Sequence, residues 1–405
     1  MATVKLGDIA IEAKSSNKGD KTGIRIVGLE HLIPSNVTLS SWSEDTENTF
    51  TKEFSKGDVL FGRRRAYLKK AAVAPFDGIC SGDITVIRAI EDKVDPDLLP
   101  FIIQNDFLFD FAVGKSAGSL SPRVKWTHLK EFAIELPLMP EQSKLAETLW
   151  SINETKNAYE DLINKTDELV KSQFIEMFGD TLTDQSVYKV VPLASVFDKP
   201  QGGEWGKDDP DNTGVPVLRT TNFTDEGIID FTDVATRIIP LDKVEKKSLS
   251  KGDILIEKSG GSSDKPVGRV VYFESDDNTY LNNNFTAKLH LNGIFDLNPF
   301  YVFKLMFVNY WMGGTKIHEG KTTGIHNIRL NDYLEKTYIP LAPRSIQDEY
   351  VELAEQSDKS KFALQEAIKD LDALSKKIIA ENLIPAGRSK LCHSLMKIIL
   401  LSNFL

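Results

Sequence analysis

Cysteine is almost absent from this chain: only Cys80 and Cys392 occur in 405 residues, far apart in the sequence. A disulfide framework and paired-cysteine metal sites are therefore excluded. No apolar run approaches the ~18 residues that a membrane-spanning helix needs. With no leader-like segment at the start, this cysteine usage leads us to expect a reducing cytoplasm and no membrane. Catalytic signatures are missing too. There is no Gly-x-Ser-x-Gly elbow and no phosphate-binding Lys loop, and the six histidines (31, 128, 290, 318, 326 and 393) never fall at helical ligand spacing with an acid. We therefore expect no catalytic residues, no metal and no cofactor. An excess of positive charge is also lacking: 49 Lys and Arg stand against 59 Asp and Glu, a net charge of −10. Taken alone, that total argues against a polyanionic partner.

The distribution of charge argues otherwise. Between Lys56 and Lys70 the basic residues are Lys56, Arg63, Arg64, Arg65, Lys69 and Lys70, against the single acid Asp58. Between Lys115 and Lys130 there is no acid at all. The sequence also repeats itself. Glu53-Phe-Ser-Lys-Gly-Asp-Val-Leu-Phe61 returns as Ser248-Leu-Ser-Lys-Gly-Asp-Ile-Leu-Ile256, and Leu136-Pro-Leu-Met-Pro140 returns as Ile339-Pro-Leu-Ala-Pro343. A period of about 200 residues is far longer than any solenoid repeat, so it marks a duplicated domain. Short β-branched runs bounded by Gly, Asp and Pro predict strands in each copy: Val59–Phe61, Ala71–Ala74, Ile84–Ile87 and Phe132–Leu136, then Ile254–Ile256, Arg269–Phe273, Thr286–Leu289 and Thr337–Ile339. Pro100 and Pro299 each begin an expected helix.

After each domain the apolar period changes from 2 to 3.5. Leu145, Leu149, Ile152, Lys156, Tyr159, Ile163, Thr166, Val170, Gln173 and Met177 alternate spacings of four and three, as do Ile346, Tyr350, Leu353, Ser357, Ser360, Leu364, Ala367, Leu371, Leu374 and Ile378. Neither helix is stable alone with such a stripe exposed, so the two should pack on each other. A duplication related by an approximate two-fold axis makes them antiparallel. The expected organisation is an α+β domain over 1–140, a helical spacer over 141–178, a second domain over 186–343, a second spacer over 344–384, and a tail over 385–405. Two readers held about one turn of B-DNA apart would suit a bipartite site.

At this level the chain resembles the specificity subunits of type I restriction–modification enzymes. The resemblance covers residues 1 to about 384 and rests on the order domain, helix, domain, helix. Locally it rests on Gly252-Asp-Ile-Leu-Ile256 followed by Lys258-Ser-Gly-Gly261 and Gly268-Arg-Val-Val271, and on Leu136-Pro-Leu-Met-Pro-Glu-Gln142. It implies a non-catalytic subunit with two target-recognition domains. Each domain would read half of a split double-stranded DNA target, and the helices would set the gap. The implied partners are methyltransferase (modification) subunits, two copies, and a restriction translocase. A coiled-coil scaffold with two protein- or carbohydrate-binding domains is the competing class.

Within that reading, the loops after the Gly-Asp strands are the leading DNA-contact candidates: Arg63, Arg64, Arg65, Lys69 and Lys70 in the first copy, and Lys258, Ser259, Gly260, Lys265 and Arg269 in the second. Arg pairs bidentately with guanine or clamps phosphate, and Gly lets the backbone approach it. A solvated charged hairpin accounts for the same composition. Two Gly/Ser/Thr/Lys loops ahead of the final strands add Lys115, Ser119 and Arg123, and Lys316, Lys321, Thr323 and Arg329. Arg219 and Asn222 follow the strand Val215–Leu218, where a capping turn is the plain alternative. Asn298-Pro-Phe-Tyr301 mimics an adenine-methyltransferase motif, but it lacks the second proline and an upstream Gly-rich loop, and a helix start explains it. Asp8, Glu12 and Lys14 faintly echo a nuclease pair without a partner acid. The apolar tail Arg388–Leu405 is too short to span a membrane and could cover the helix pair or a partner.

Overall fold

The computed structural model describes residues 2–44, 48–118, 120–180, 186–262, 265–322 and 325–385. The chain divides into two compact units, Met1–Leu162 with Ala363–Leu405, and Ile163–Phe362. Ser119, Thr323 and the apolar tail fall outside the described residues.

In the first unit the central sheet has four strands, in the order Ala10–Glu12, Ile84–Ala89, Val59–Gly62 and Ala71–Val73. Its antiparallel registers pair Val59 with Ile87 and with Val73. Alternate side chains point to opposite faces, so Val59, Phe61 and Ile87 enter one core while Leu60, Val86 and Ala72 enter another. The second unit repeats the sheet with Gln201–Gly202, Thr286–Leu289, Ile254–Glu257 and Val270–Tyr272. Here Ile254 pairs with Leu289 and Tyr272. The eight expected strands appear within a residue or two of their predicted limits. The proline-led helices form as Leu99–Ile103 and Pro299–Trp311.

The repeated Ser-Lys-Gly-Asp phrase is a turn in both units. Gly57 and Gly252 have φ of 89° and 95°, in the left-handed region where glycine has no Cβ penalty. The following Asp closes the turn: Asp58 accepts from the Ser55 N–H at 2.7 Å, and Asp253 from the Ser250 N–H at 2.8 Å. Each buried carboxylate then meets a basic side chain from the next strand, Arg88 at 2.7 Å and His290 at 2.6 Å.

Two 40-residue helices, Met139–Phe178 and Arg344–Leu383, follow the domains. In the first unit Leu149 shares a core with Ile379 and Leu383, and Lys156 pairs with Asp372 at 2.9 Å. In the second, Asp167 pairs with Lys361 at 2.6 Å, and Phe174 and Phe178 pack on Tyr350. Within each unit later positions of one helix meet earlier positions of the other, so the pair is antiparallel as expected. The seam departs from the heptad pattern at Ser360 and Leu374, which are exposed. Lys361 is buried in place of Ser360. Burial works against its charge, but Asp358 and Asp167 outweigh that and hold its pKa above the ordinary lysine value.

The helix starts are anchored alike. Buried Gln142 accepts from the Asp95 N–H at 2.9 Å and donates to the Pro137 carbonyl at 3.0 Å. Buried Gln347 does the same with Asn298 and Ala342, at 2.8 Å each. By this anchor Pro137 corresponds to Ala342, two residues away from the match that the Leu-Pro-Leu and Ile-Pro-Leu letters suggest. The repeated prolines are therefore a similar solution at a shifted position.

Candidate nucleic-acid interface

The strand Val59–Gly62 delivers Arg63 and Arg64 beside the loop that carries Arg123. The Arg63 N–H donates to the Asp83 carbonyl at 3.0 Å, and the Val124 N–H donates to the Arg63 carbonyl at 3.0 Å. Arg64 and Arg123 face each other as an isolated antiparallel bridge. Two candidate loops about 60 positions apart are thus one surface. Their guanidiniums converge on a single carboxylate, Asp83, which Arg123 approaches to 2.7 Å, Arg64 to 3.6 Å and Arg63 to 4.0 Å. The hydrogen bonds from Arg123, helped by the charges of Arg63 and Arg64, hold the Asp83 carboxyl below the usual carboxylate range. Arg64 Nε also donates to Ser121 Oγ. Three cations around one anion leave a net local charge of +2 by count. Arg65, in a left-handed conformation with φ of 54°, and Lys115 stand exposed nearby in the chain.

The remaining first-copy candidates turn inward. Lys69 pairs with Asp106, which also meets Lys376 of the second long helix at 3.3 Å. Burial would raise the Asp106 pKa, but these two lysines hold it below the ordinary value. Lys70 Nζ donates to the Leu29 carbonyl at 2.7 Å.

The second unit repeats this backbone frame with different side chains. The Lys258 N–H donates to the Phe285 carbonyl at 2.7 Å, and the Ile328 N–H to the Lys258 carbonyl at 2.9 Å. Ser259 pairs with Asn327 in a three-stranded sheet, Ser259–Gly261, Ile325–Ile328 and Glu319–Thr322, and Ser259 Oγ donates to Asn327 Oδ1. Position by position, Lys258 stands where Arg63 does, Ser259 for Arg64, Phe285 for Asp83 and Asn327 for Arg123. Phe285 is 54% exposed. Lys258 has no carboxylate partner among the described residues. Burial first, and Lys247 second, lower its pKa. Gly260, with φ of 136°, is the exposed residue at the bulge of its strand.

Arg269 is engaged within the fold. It clasps buried Glu257 through Nε and Nη2 at 3.0 and 3.1 Å, and donates to the Phe223 and Thr220 carbonyls at 3.0 and 3.2 Å. Asn222 is buried and closes its turn, accepting from the Arg219 N–H at 2.9 Å and donating to the Asp230 and Asp233 carbonyls. Arg219 itself pairs with Asp233 at 3.0 Å. Lys265 pairs with Asp225 at 2.7 Å, and Arg329 ties the Ile317 carbonyl at 2.9 Å. Lys316 is exposed, and Lys321 lies in the strand opposite His326. Asp83, Ser121, Phe285 and Asn327 were not singled out from sequence. The signal that would find them is register, since Asp83 and Phe285 immediately precede the equivalent strands Ile84–Ala89 and Thr286–Leu289.

Among the described residues no helix is long and apolar enough to cross a membrane, and no group of three or more His, Cys, Asp or Glu is placed to hold a metal ion.

The model of the family described as the type I restriction modification DNA specificity domain matches this chain twice, over residues 1–167 and 185–371. A curated relative, the type I restriction enzyme EcoDI specificity subunit of Escherichia coli, is 26% identical over 170 residues. That match spans 38% of this chain and 37% of the relative. Two solved structures share the fold. One is a chain from a type I R-M system studied for complex assembly and conformational transition, with a TM-score of 0.54 and 22% identity, covering 94% of this chain and 97% of that one. The other is the type I restriction-modification S subunit from M. genitalium, with a TM-score of 0.53 and 12% identity, covering 93% and 94%.

Proposed function

The chain belongs to the family of type I restriction modification DNA specificity domains, and from that premise we propose that it is the DNA-reading subunit of a type I restriction–modification complex. Residues 1–140 and 186–343 are taken as two target-recognition domains, each reading one half of a split duplex target. The spacers 141–178 and 344–384 set the number of unread base pairs between the halves. In this reading the chain itself is not catalytic. It docks two methyltransferase subunits and a restriction translocase, and it works in the cytoplasm.

One observation carries the proposal: in each unit two loops distant in sequence meet on the same backbone frame, and the frame presents Arg63, Arg64 and Arg123 in one unit and Lys258, Ser259 and Asn327 in the other. A shared frame with divergent side chains suits two readers of unlike sequences. Phosphate contacts make affinity fall linearly in log–log fashion with salt, and base contacts make it sequence-selective. The test is duplex binding by the full chain with its methyltransferase subunit, at graded salt, over a randomised duplex library. Selective, steeply salt-dependent binding supports the proposal. Binding without sequence preference, or affinity indifferent to salt, refutes it.

A further inference from the structure

The frame shared by the two units identifies which side chains carry the difference. Gly62 lies opposite Ile84, and Glu257 opposite Thr286. One residue further on, the Arg63 and Lys258 N–H groups donate to Asp83 and Phe285, and the Arg63 and Lys258 carbonyls accept from Val124 and Ile328. Arg64 then faces Arg123, as Ser259 faces Asn327. These hydrogen bonds are made by the main chain, so side chains other than proline can occupy the four positions and leave the bonds in place.

The side chains present are chemically opposed. In the first unit three arginines, 33% to 43% exposed, surround a carboxylate that is 19% exposed. Asp83 lies within bonding distance of Arg123 at both Nε and Nη2, at 2.7 and 3.1 Å, in the fork geometry of a bidentate pair. Arg63 is held less firmly, since its Nε has no hydrogen-bond partner among the described residues. In the second unit the carboxylate is replaced by the exposed ring of Phe285, beside the hydrogen-bonded pair Ser259 and Asn327.

We propose that these four equivalent positions determine the half-sites, with Arg63 and Arg64 reading guanine under the orienting hold of Asp83 and Arg123, and Asn327 with Ser259 reading an A·T pair against which Phe285 lies. Arginine matches the paired acceptors of guanine, asparagine matches adenine, and an apolar ring matches the thymine methyl. Asp83 is a positioning residue: without it, three like charges lose their common anchor and any phosphate can capture them. The inference rests on the DNA-reading function proposed above and says where that function resides.

The experiment uses the full chain with its methyltransferase subunit and the randomised duplex library. Selective binding by the unaltered complex is the control, and its absence counts against the DNA-reading function itself. Given selectivity, Asp83→Asn removes one negative charge beside three cations. Non-specific duplex affinity should rise and the slope of log affinity against log salt should steepen by about one contact. Preference in the first half-site should fall at least tenfold while the second half-site stays unchanged. A purely structural role for Asp83 would weaken all binding together. Phe285→Ala changes an exposed side chain, so folding is not at stake. It should relax preference at one base pair of the second half-site, by a factor of five or more, with the first untouched. Unchanged preference in the affected half-site for either variant overturns the inference, as does loss in both half-sites at once.

Discussion

Lys304 offers a test of how the second domain is fixed to its helix. It lies on Pro299–Trp311, is 3% exposed, and meets Asp358 of the second long helix at 2.7 Å. The rings of Phe300, Phe303 and Phe307 surround the ammonium at 5.1 to 5.5 Å. Burial lowers the Lys304 pKa, and Asp358 opposes that shift without cancelling it. Breaking a buried pair by removing one partner costs about 3–5 kcal/mol, because the other charge stays buried alone. Here the aromatic faces retain about 1–2 kcal/mol of attraction for the cation. Asp358→Ala should therefore destabilise the second unit by about 2–4 kcal/mol. Lys304→Met should do far less. It leaves Asp358, 28% exposed, still paired with Lys361 at 3.0 Å, and it fills the aromatic pocket with an apolar chain of similar length, within about 1 kcal/mol of the original or above it. The sign of the pH dependence gives a second reading. A lysine whose folded pKa lies below its unfolded value binds more protons when unfolded, so stability rises as pH climbs through the folded value towards ~10.5. Removing Asp358 should widen that window downwards, and Lys304→Met should abolish it. Hydrogen exchange of the amides in Pro299–Trp311, followed from pH 6 to 10, measures both. Equal losses for the two substitutions would refute the reasoning, since the amine would then contribute favourably in its own right.

Four further outcomes follow from the geometry. Gln142→Ala and Gln347→Ala each orphan a half-buried N–H and a buried carbonyl, so each should cost about 1–3 kcal/mol, read as a lowered urea midpoint of its own unit. Arg269→Met leaves Glu257, 2% exposed, without its cation and should destabilise the second unit by about 3–5 kcal/mol. By contrast, Arg65→Ala should leave the melting temperature in place and reduce the salt slope of duplex binding by about 1. Asp332 is held down to about 2 by hydrogen bonds from Lys336 and His318. Its contribution is complete above its ordinary value of 3.8 and is lost as pH falls towards 2. Protection of the paired strands Glu319–Thr322 and Ile325–Ile328 should decline over that acid window in the unaltered chain and not in Asp332→Asn.

The fold was legible because its signals are local and repeated. Gly57 and Gly252 must adopt positive φ, and the Asp beside each closes a four-residue turn, so the phrase carries its own geometry wherever it occurs. The helical seams were legible for the same reason, with exceptions where side-chain chemistry overrode spacing: the heptad offers Ser360, yet Asp167 and Asp358 draw Lys361 inside. The site was legible only in outline. Composition located the basic loops but could not distinguish Arg64, which faces outward beside Arg123, from Lys70, which caps the Leu29 carbonyl. Asp83 and Phe285 were invisible because an acid and a lone aromatic do not look like parts of a DNA-binding loop. They join the proposed reading surface only through a main-chain hydrogen bond to a residue some 20 or more positions earlier in the chain.

Lys70 and Arg269 show how one frame tolerates two chemistries. Both lie opposite the end of the Gly-Asp strand, where the Gly62 N–H meets the Lys70 carbonyl and the Glu257 N–H meets the Arg269 carbonyl. Both reach back to cap the turn after an earlier strand, Lys70 at Leu29 and Arg269 at Thr220. At Gly62 an added Cβ would come within 3.1 Å of the Lys70 carbonyl and 3.2 Å of Leu29, so a carboxylate there would have to push these neighbours aside, and the single ammonium of Lys70 needs none. The second unit admits Glu257 and a guanidinium that satisfies two carbonyls as well as the acid. A buried carboxylate in one copy and a glycine in the other are therefore alternative solutions for closing one turn, each tied to its own cation. The same logic separates support from recognition. At the end of the Gly-Asp strand the two units differ as a pair, Gly62 with Lys70 in one and Glu257 with Arg269 in the other. Arg63, Arg64, Lys258 and Ser259 begin one residue beyond that pair, where main-chain hydrogen bonds hold the frame and the side chains differ between the units, which suits the role proposed for them in telling two half-sites apart.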